Sequence, residues 1–232
     1  MRKSKNLLLV AFLVFAMFAV GCLGVGDEEA EYNGGEETEQ LEYNGEETKQ
    51  LEYTRGVLTE NSFESEFLNL RFTLPDGFQM LTQQDMDDLM GFSIDVMLDD
   101  EGIGDLLQAI VIYEMSAIAP VGFPSVTVIV ERLPFRGMTM EGYIEGLKWH
   151  LQEEILMPET EMDITFSDEI VTIDFAGETY TKVNISSIVF GMEMNQKYLL
   201  RQIDNRMLAI TVAYTPETEA EMQMLLDAFD SF

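Results

Sequence analysis

Met194-Asn195-Gln196-Lys197-Tyr198-Leu199-Leu200-Arg201-Gln202-Ile203-Asp204-Asn205-Arg206-Met207-Leu208-Ala209-Ile210-Thr211-Val212-Ala213-Tyr214 reads as two strands and the turn between them. Leu208, Ile210, Val212 and Tyr214 alternate with period two, which places them on one face of a sheet. Asp204-Asn205 leaves room only for a tight turn, so the two strands must be antiparallel neighbours. Upstream, Val171, Ile173 and Phe175 alternate, Ala176-Gly177-Glu178 turns, and Tyr180–Phe190 runs on to a turn at Gly191. Downstream, Thr215-Pro216-Glu217 carries a helix start: a capping residue, proline in the first turn and an acid beside it. Met222, Leu225, Leu226 and Phe229 then supply an inward stripe for a last helix.

The same signals organise the part before it. Leu68, Leu70, Phe72 and Leu74 alternate with Asn69, Arg71 and Thr73, and Pro75-Asp76-Gly77 ends that strand with turn chemistry. Thr82 with Asp85 three residues on predicts a helix cap of the box type, followed by Met86, Leu89, Met90 and Ile94 at helical spacing. Asp99–Asp105 breaks the pattern and reads as a solvated acidic loop. Strands around Ile110–Ala117 and Ser125–Leu133 follow, joined through 119–124. Thr139 opens a further helix with Met140, Tyr143, Ile144, Leu147 and Leu151 on one face, His150 at the edge of that face and Trp149 on the opposite side. The expected fold is α+β: an antiparallel sheet of six or seven strands covered by about three helices, an α/β/α sandwich.

The N-terminus carries different information. Arg2, Lys3 and Lys5 precede an uninterrupted apolar run from Leu7 to Val20, 14 residues long. A membrane-spanning helix needs about 20 apolar residues, so this run has the length of a secretory signal core. It closes on Ala19-Val20-Gly21-Cys22, which resembles the lipobox of bacterial lipoproteins, with Ala19 where leucine is usual. The resemblance implies a signal peptide over 1–21, cleavage after Gly21, and a diacylglyceryl group on the Cys22 thiol. Cys22 is the one cysteine of the chain, so an internal disulfide is excluded and the domain must be held by its core.

Residues 22–56 read as a disordered acidic tether. From Asp27 to Glu52 there are 11 acidic residues against Lys49 alone, too little apolar surface to offset ordering. Glu31–Leu41 is repeated in Glu42–Leu51, and a third copy decays after Glu52-Tyr53. The period is far below that of solenoid repeats, so the copies lengthen a spacer. Its glutamate pairs lack the spacing of a calcium loop. The remaining segment, 57–232, is long enough for one domain with a full core.

Charge narrows the function. Loss of the leader takes the formal charge from -30 to about -33. Nucleic acid, which selects basic surfaces, is excluded, and anionic headgroups repel the chain, so the Cys22 lipid has to supply the membrane affinity. A protein or envelope partner remains open, and a cationic one matches the charge.

The lead-in Tyr53-x-x-Gly56 with Glu66–Phe78, and the closing course from Gly177-Glu178-Thr179-Tyr180 to the last helix, resemble lipoproteins of the PsbP-like superfamily. That resemblance implies an antiparallel sandwich and a binding or accessory role, and it transfers no catalytic residues. Chemistry is otherwise sparse. His150 is the one histidine and reads as a packed or rim side chain; no Gly-x-Ser-x-Gly or phosphate-binding glycine pattern occurs. Met138/Met140, Met192/Met194 and Met222/Met224 raise a copper-handling alternative, since thioethers select Cu(I). Paired carboxylates raise a cell-envelope hydrolase as a second alternative. The favoured expectation is a non-enzymatic binding or accessory module without cofactor or metal. It is anchored through Cys22 on the outer face of the membrane, Gram-positive in type, with Trp149 as the candidate interaction residue.

Overall fold

The computed structural model describes residues 52–88, 111–135, 137–153, 162–167, 169–189 and 191–232. Among these residues twelve strands fall into two antiparallel sheets. They are β1 (Val57–Leu58), β2 (Ser62–Ser65), β3 (Leu70–Thr73), β4 (Gln79–Met80), β5 (Val111–Ile118), β6 (Ser125–Arg132), β7 (Met162–Phe166), β8 (Val171–Phe175), β9 (Glu178–Val189), β10 (Met192–Ile203), β11 (Arg206–Tyr214) and β12 (Phe229–Asp230). The large sheet has the order β4-β5-β6-β11-β10-β9-β7, with β8 also pairing β9. β8 takes residues 178–182 of β9 and β7 takes 185–189, so the two lie end to end along one edge of β9. The small sheet has the order β1-β2-β3-β12.

The tight turns set the registers. Asp204, with φ 54°, and Asn205 join β10 to β11 so that Ile203 pairs Arg206 and Tyr198 pairs Thr211. At the other hairpin Met192 pairs Val189, which carries Lys197 opposite Asn184 and Lys182 opposite Leu199.

Alternation along these strands splits the interior into two layers. Met207, Ala209 and Ala213 of β11 join Val183, Ile185, Met194 and Leu200 on one face. Helix α1 (Met140–Glu153) covers that face through Tyr143, Ile144 and Leu147, all buried. Its first turn is capped as the sequence predicts, with the Gly142 N–H donating to Thr139 Oγ1 at 3.1 Å. Leu208, Ile210, Val212 and Tyr214 point to the other face. There they meet Phe63, Leu70 and Phe72 of the small sheet and Met222 and Leu225 of helix α2 (Glu219–Asp227). A 3-10 turn, Pro216–Thr218, leads into α2, and the Thr215 N–H donates to Thr218 Oγ1 at 3.0 Å. A helical run over 83–88 follows Thr82, whose N–H and hydroxyl both donate to Asp85 Oδ2, at 3.0 and 2.6 Å. These bonds hold the Asp85 carboxyl below the usual carboxylate range.

The antiparallel α+β class is as expected, and three details differ. The strand expected at Leu68–Leu74 contracts to β3 and belongs to the small sheet, which shares one face with α2 where a helical layer alone was expected. Leu68 and Asn69 form a turn, Asn69 with φ 48°. Phe229 is not a residue of the last helix: α2 ends at Asp227, and Phe229 pairs Phe72 as part of β12, buried all the same. The domain also begins before residue 57. Tyr53 packs edge-on against Phe67, its hydroxyl donates to Glu114 Oε1, and the Gly56 N–H donates to Glu114 Oε2 at 2.9 Å. The Arg206 guanidinium stacks 4.3 Å above the Tyr53 ring. The expected acidic loop 99–105 and the helix residues Leu89, Met90 and Ile94 lie outside the described residues, as does most of the tether.

Candidate functional site

Cys22 and Gly21 lie outside the described residues. Trp149 stands on the outer side of α1 with half of its surface, 51%, in water. Glu145 and Glu141, one and two turns before it on the same side, are exposed, and Glu141 lies in the first turn of α1. The inner side of the helix is spent on Tyr143, Ile144 and Leu147, so Trp149 adds nothing to the core. His150 follows it in α1. Of the methionines, Met194 is buried on the α1 face of the large sheet and Met222 on the opposite face, while Met224 is exposed on α2. Met138 and Met140 pack against the same cluster as Met194, and Met222 and Met224 stand apart from it. No group of three or more His, Cys, Asp or Glu side chains able to hold a metal occurs among the described residues.

Among the described residues two carboxylates are buried, and each is tied to the framework. Glu114 takes Tyr53 and Gly56, as above. Glu131 Oε2 accepts the Tyr143 hydroxyl of α1 at 2.9 Å. A hydrolytic pair needs two carboxyl groups facing one cleft about 5–9 Å apart. These two instead fasten different segments, the chain entering the domain and the covering helix.

A feature outside the sequence candidates lies on the other face of the large sheet. Lys182 of β9 and Lys197 of β10 sit at diagonal positions of neighbouring strands and open into a groove of about 520 Å³. Its walls come from β8 and α2, with Phe175, Leu199, Leu226 and Phe229 as the apolar lining and Asp174 and Asp227 also present. The Lys197 ammonium lies 3.8 Å from the Met222 sulfur and 5.1 Å from the centre of the Tyr214 ring. Burial pulls its pKa down; Glu219 opposes that and Lys182 adds to it. The signal was legible: the turn at Gly191 fixes the register of β9 on β10, and that register alone makes the two lysines neighbours on one face. A second groove, about 630 Å³, runs between the β1–β2 turn and β4, lined by Leu58, Asn61, Phe78, Met80 and Thr82.

No protein-family model matches the chain. No curated protein sequence matches it either. Among solved structures, cyanobacterial PsbP (CyanoP) from Synechocystis sp. overlays with a TM-score of 0.44 at 9% identity, covering 78% of this chain and 99% of that one. LpqN, involved in cell envelope biogenesis of Mycobacterium tuberculosis, overlays with a TM-score of 0.37 at 8% identity, covering 75% of this chain and 88% of that one. A protein of Bacteroides thetaiotaomicron overlays at 0.38 and 10% identity, covering 75% of this chain and 49% of that one.

Proposed function

We propose that this chain is a binding or accessory module without catalytic activity. It is lipid-anchored through Cys22 outside the cytoplasmic membrane and held off the surface by its acidic tether. The observation that carries the binding role is Trp149, a half-exposed indole on a helix face that also carries exposed Glu141 and Glu145. A large aromatic in water costs solvation free energy that a partner's pocket recovers, and aromatics of this kind are the anchors of protein interfaces. Glu141 and Glu145 give the surround a negative charge, which suits a partner with a basic rim. The anchor rests on the leader, the lipobox and the single cysteine, and the stand-off on the repeated spacer. A flexible spacer of about 30 residues has a reach on the order of 30 Å, extended further by like charges.

The test is a photo-crosslinking residue placed at position 149 in intact cells, with exposed Ile170 as the comparison site. The expected result is one defined protein adduct from position 149, absent from position 170 and competed away by the unmodified protein. Identical adducts from both positions, or none from 149 beside a hydrolytic activity of the purified protein, would overturn the reading.

A further inference from the structure

We propose that the groove between β8, β10 and α2 is a ligand site for a small organic carboxylate: one anionic head held by Lys182 and Lys197, with an acyl or aryl body against Phe175, Leu199, Leu226 and Phe229. The site lies on the sheet face opposite α1, so it does not depend on the role of Trp149.

Two lysines share one groove of a strongly acidic chain. The chain has 43 acidic residues against 13 basic ones, so carboxylates far outnumber cations. Among the described residues these two have none at ion-pair distance. Arg71 and Arg201 each hold a glutamate, at 3.1 and 3.2 Å, while Arg55, Arg132, Lys148 and Arg206 share with the two lysines the lack of an ion pair among the described residues. Lys197 is half-buried and its contacts are a thioether and a ring face, soft partners that replace little of an ammonium's hydration. Lys182, diagonal to it across the hairpin, adds repulsion to a cation already short of solvent. Two like charges at diagonal positions repel, Asp174, Asp227 and Glu219 offset that only in part because none is at ion-pair distance, and an anion entering the groove relieves the rest.

The carboxylates around the groove limit the charge of the ligand. Asp174 Oδ1 accepts the Thr179 hydroxyl at 3.3 Å, and Asp227 Oδ1 accepts the Gln223 amide at 2.7 Å. Glu219, on the first turn of α2, acts on Lys197 from farther off. Against this fringe a singly charged carboxylate gains from both lysines, whereas a doubly charged phosphate ester meets more repulsion. The volume lies within the range of small-molecule sites, about 300–1,000 Å³. Apolar walls with a few placed charges are the usual make-up of such sites.

Calorimetry on the full chain with 3-phenylpropionate as probe tests this, with 3-phenylpropanol as the body without charge and acetate as the head alone. The expected result is saturable one-to-one binding of 3-phenylpropionate and at least tenfold weaker binding of either control. Lys197→Gln and Lys182→Met should each weaken it about tenfold, while Lys148→Met, on α1, leaves it unchanged. Thermal melts show that the variants fold, and Lys197→Arg, which keeps the charge, should retain most of the affinity. Absence of saturable binding, equal binding of the alcohol, or full affinity in both Lys182→Met and Lys197→Gln would overturn the site.

Discussion

Gly56 shows how much one residue decides where the domain begins. A Cβ at this position would come within 2.3 Å of the Phe63 ring and 3.0 Å of the Glu64 carbonyl, and the ring has nowhere to retreat because Phe63 is fully buried. Gly56→Ala should therefore cost about 1–3 kcal/mol, as overpacking does, read from urea unfolding. Gly142→Ala, in α1 with an ordinary contact of 3.5 Å to Thr139 Oγ1, should be neutral or stabilising. Equal effects of the two would contradict the packing. Tyrosines give a second test. Burial pushes the Tyr180 phenol up to about 12, with Arg201 opposing and Glu178 adding. Tyr53, Tyr113, Tyr198 and Tyr214 are raised as well, burial first in each case. Free tyrosine ionises near pH 10. The stability these phenols contribute is thus complete below about pH 10 and is lost as pH rises through their folded-state values. Phenolate absorbance of the native chain should lag behind that of the chain in denaturant, and coincident curves would contradict the burial.

At the scale of elements, the joint between the two sheets is the part most open to perturbation. Arg201 of β10 donates from Nη2 to the Leu68 carbonyl at 2.5 Å and pairs with Glu178 Oε2 at 3.2 Å, while Asn69 Nδ2 donates to Glu178 Oε1 at 2.8 Å. These bonds pin the turn before β3 onto the large sheet. Arg201→Met should cost about 1–3 kcal/mol, and Glu178→Gln less, because its amide oxygen still accepts from Asn69. An unchanged urea midpoint in Arg201→Met would sink this view of the joint.

Elements also show what sequence reveals. β9, β10 and β11 were legible because long alternation and short turns allow one register. Helix α1 was legible from a 3.6-residue stripe and its threonine cap. β1, β4 and β12, two residues each, are shorter than any periodicity, and they exist only because a partner strand is already in place. β7 was open to reading, since Met162, Ile164 and Phe166 alternate. The Glu114 clasp was not: Tyr53 lies 61 residues from its partner, and no local pattern announces so distant a contact. Trp149 could be placed on the outer side of its helix by spacing alone. The lysine groove needed the hairpin register and α2 together.

For the whole molecule, the proposal joins a signal-bearing leader, a single cysteine, a duplicated acidic spacer and a domain onto which Tyr53 packs. Each part constrains the next. A charge near -33 after loss of the leader gives the tether and domain together no electrostatic hold on anionic lipid, so only the acyl group can keep them at the membrane. With no cysteine after residue 22, the domain needs no disulfide and should fold the same way with or without its anchor. Fractionation of cells producing Cys22→Ala tests this most directly. The proposal predicts that the unmodified protein stays with the membrane and that Cys22→Ala appears in the medium, folded, with an unchanged thermal melt. Retention of Cys22→Ala in the membrane fraction would contradict it.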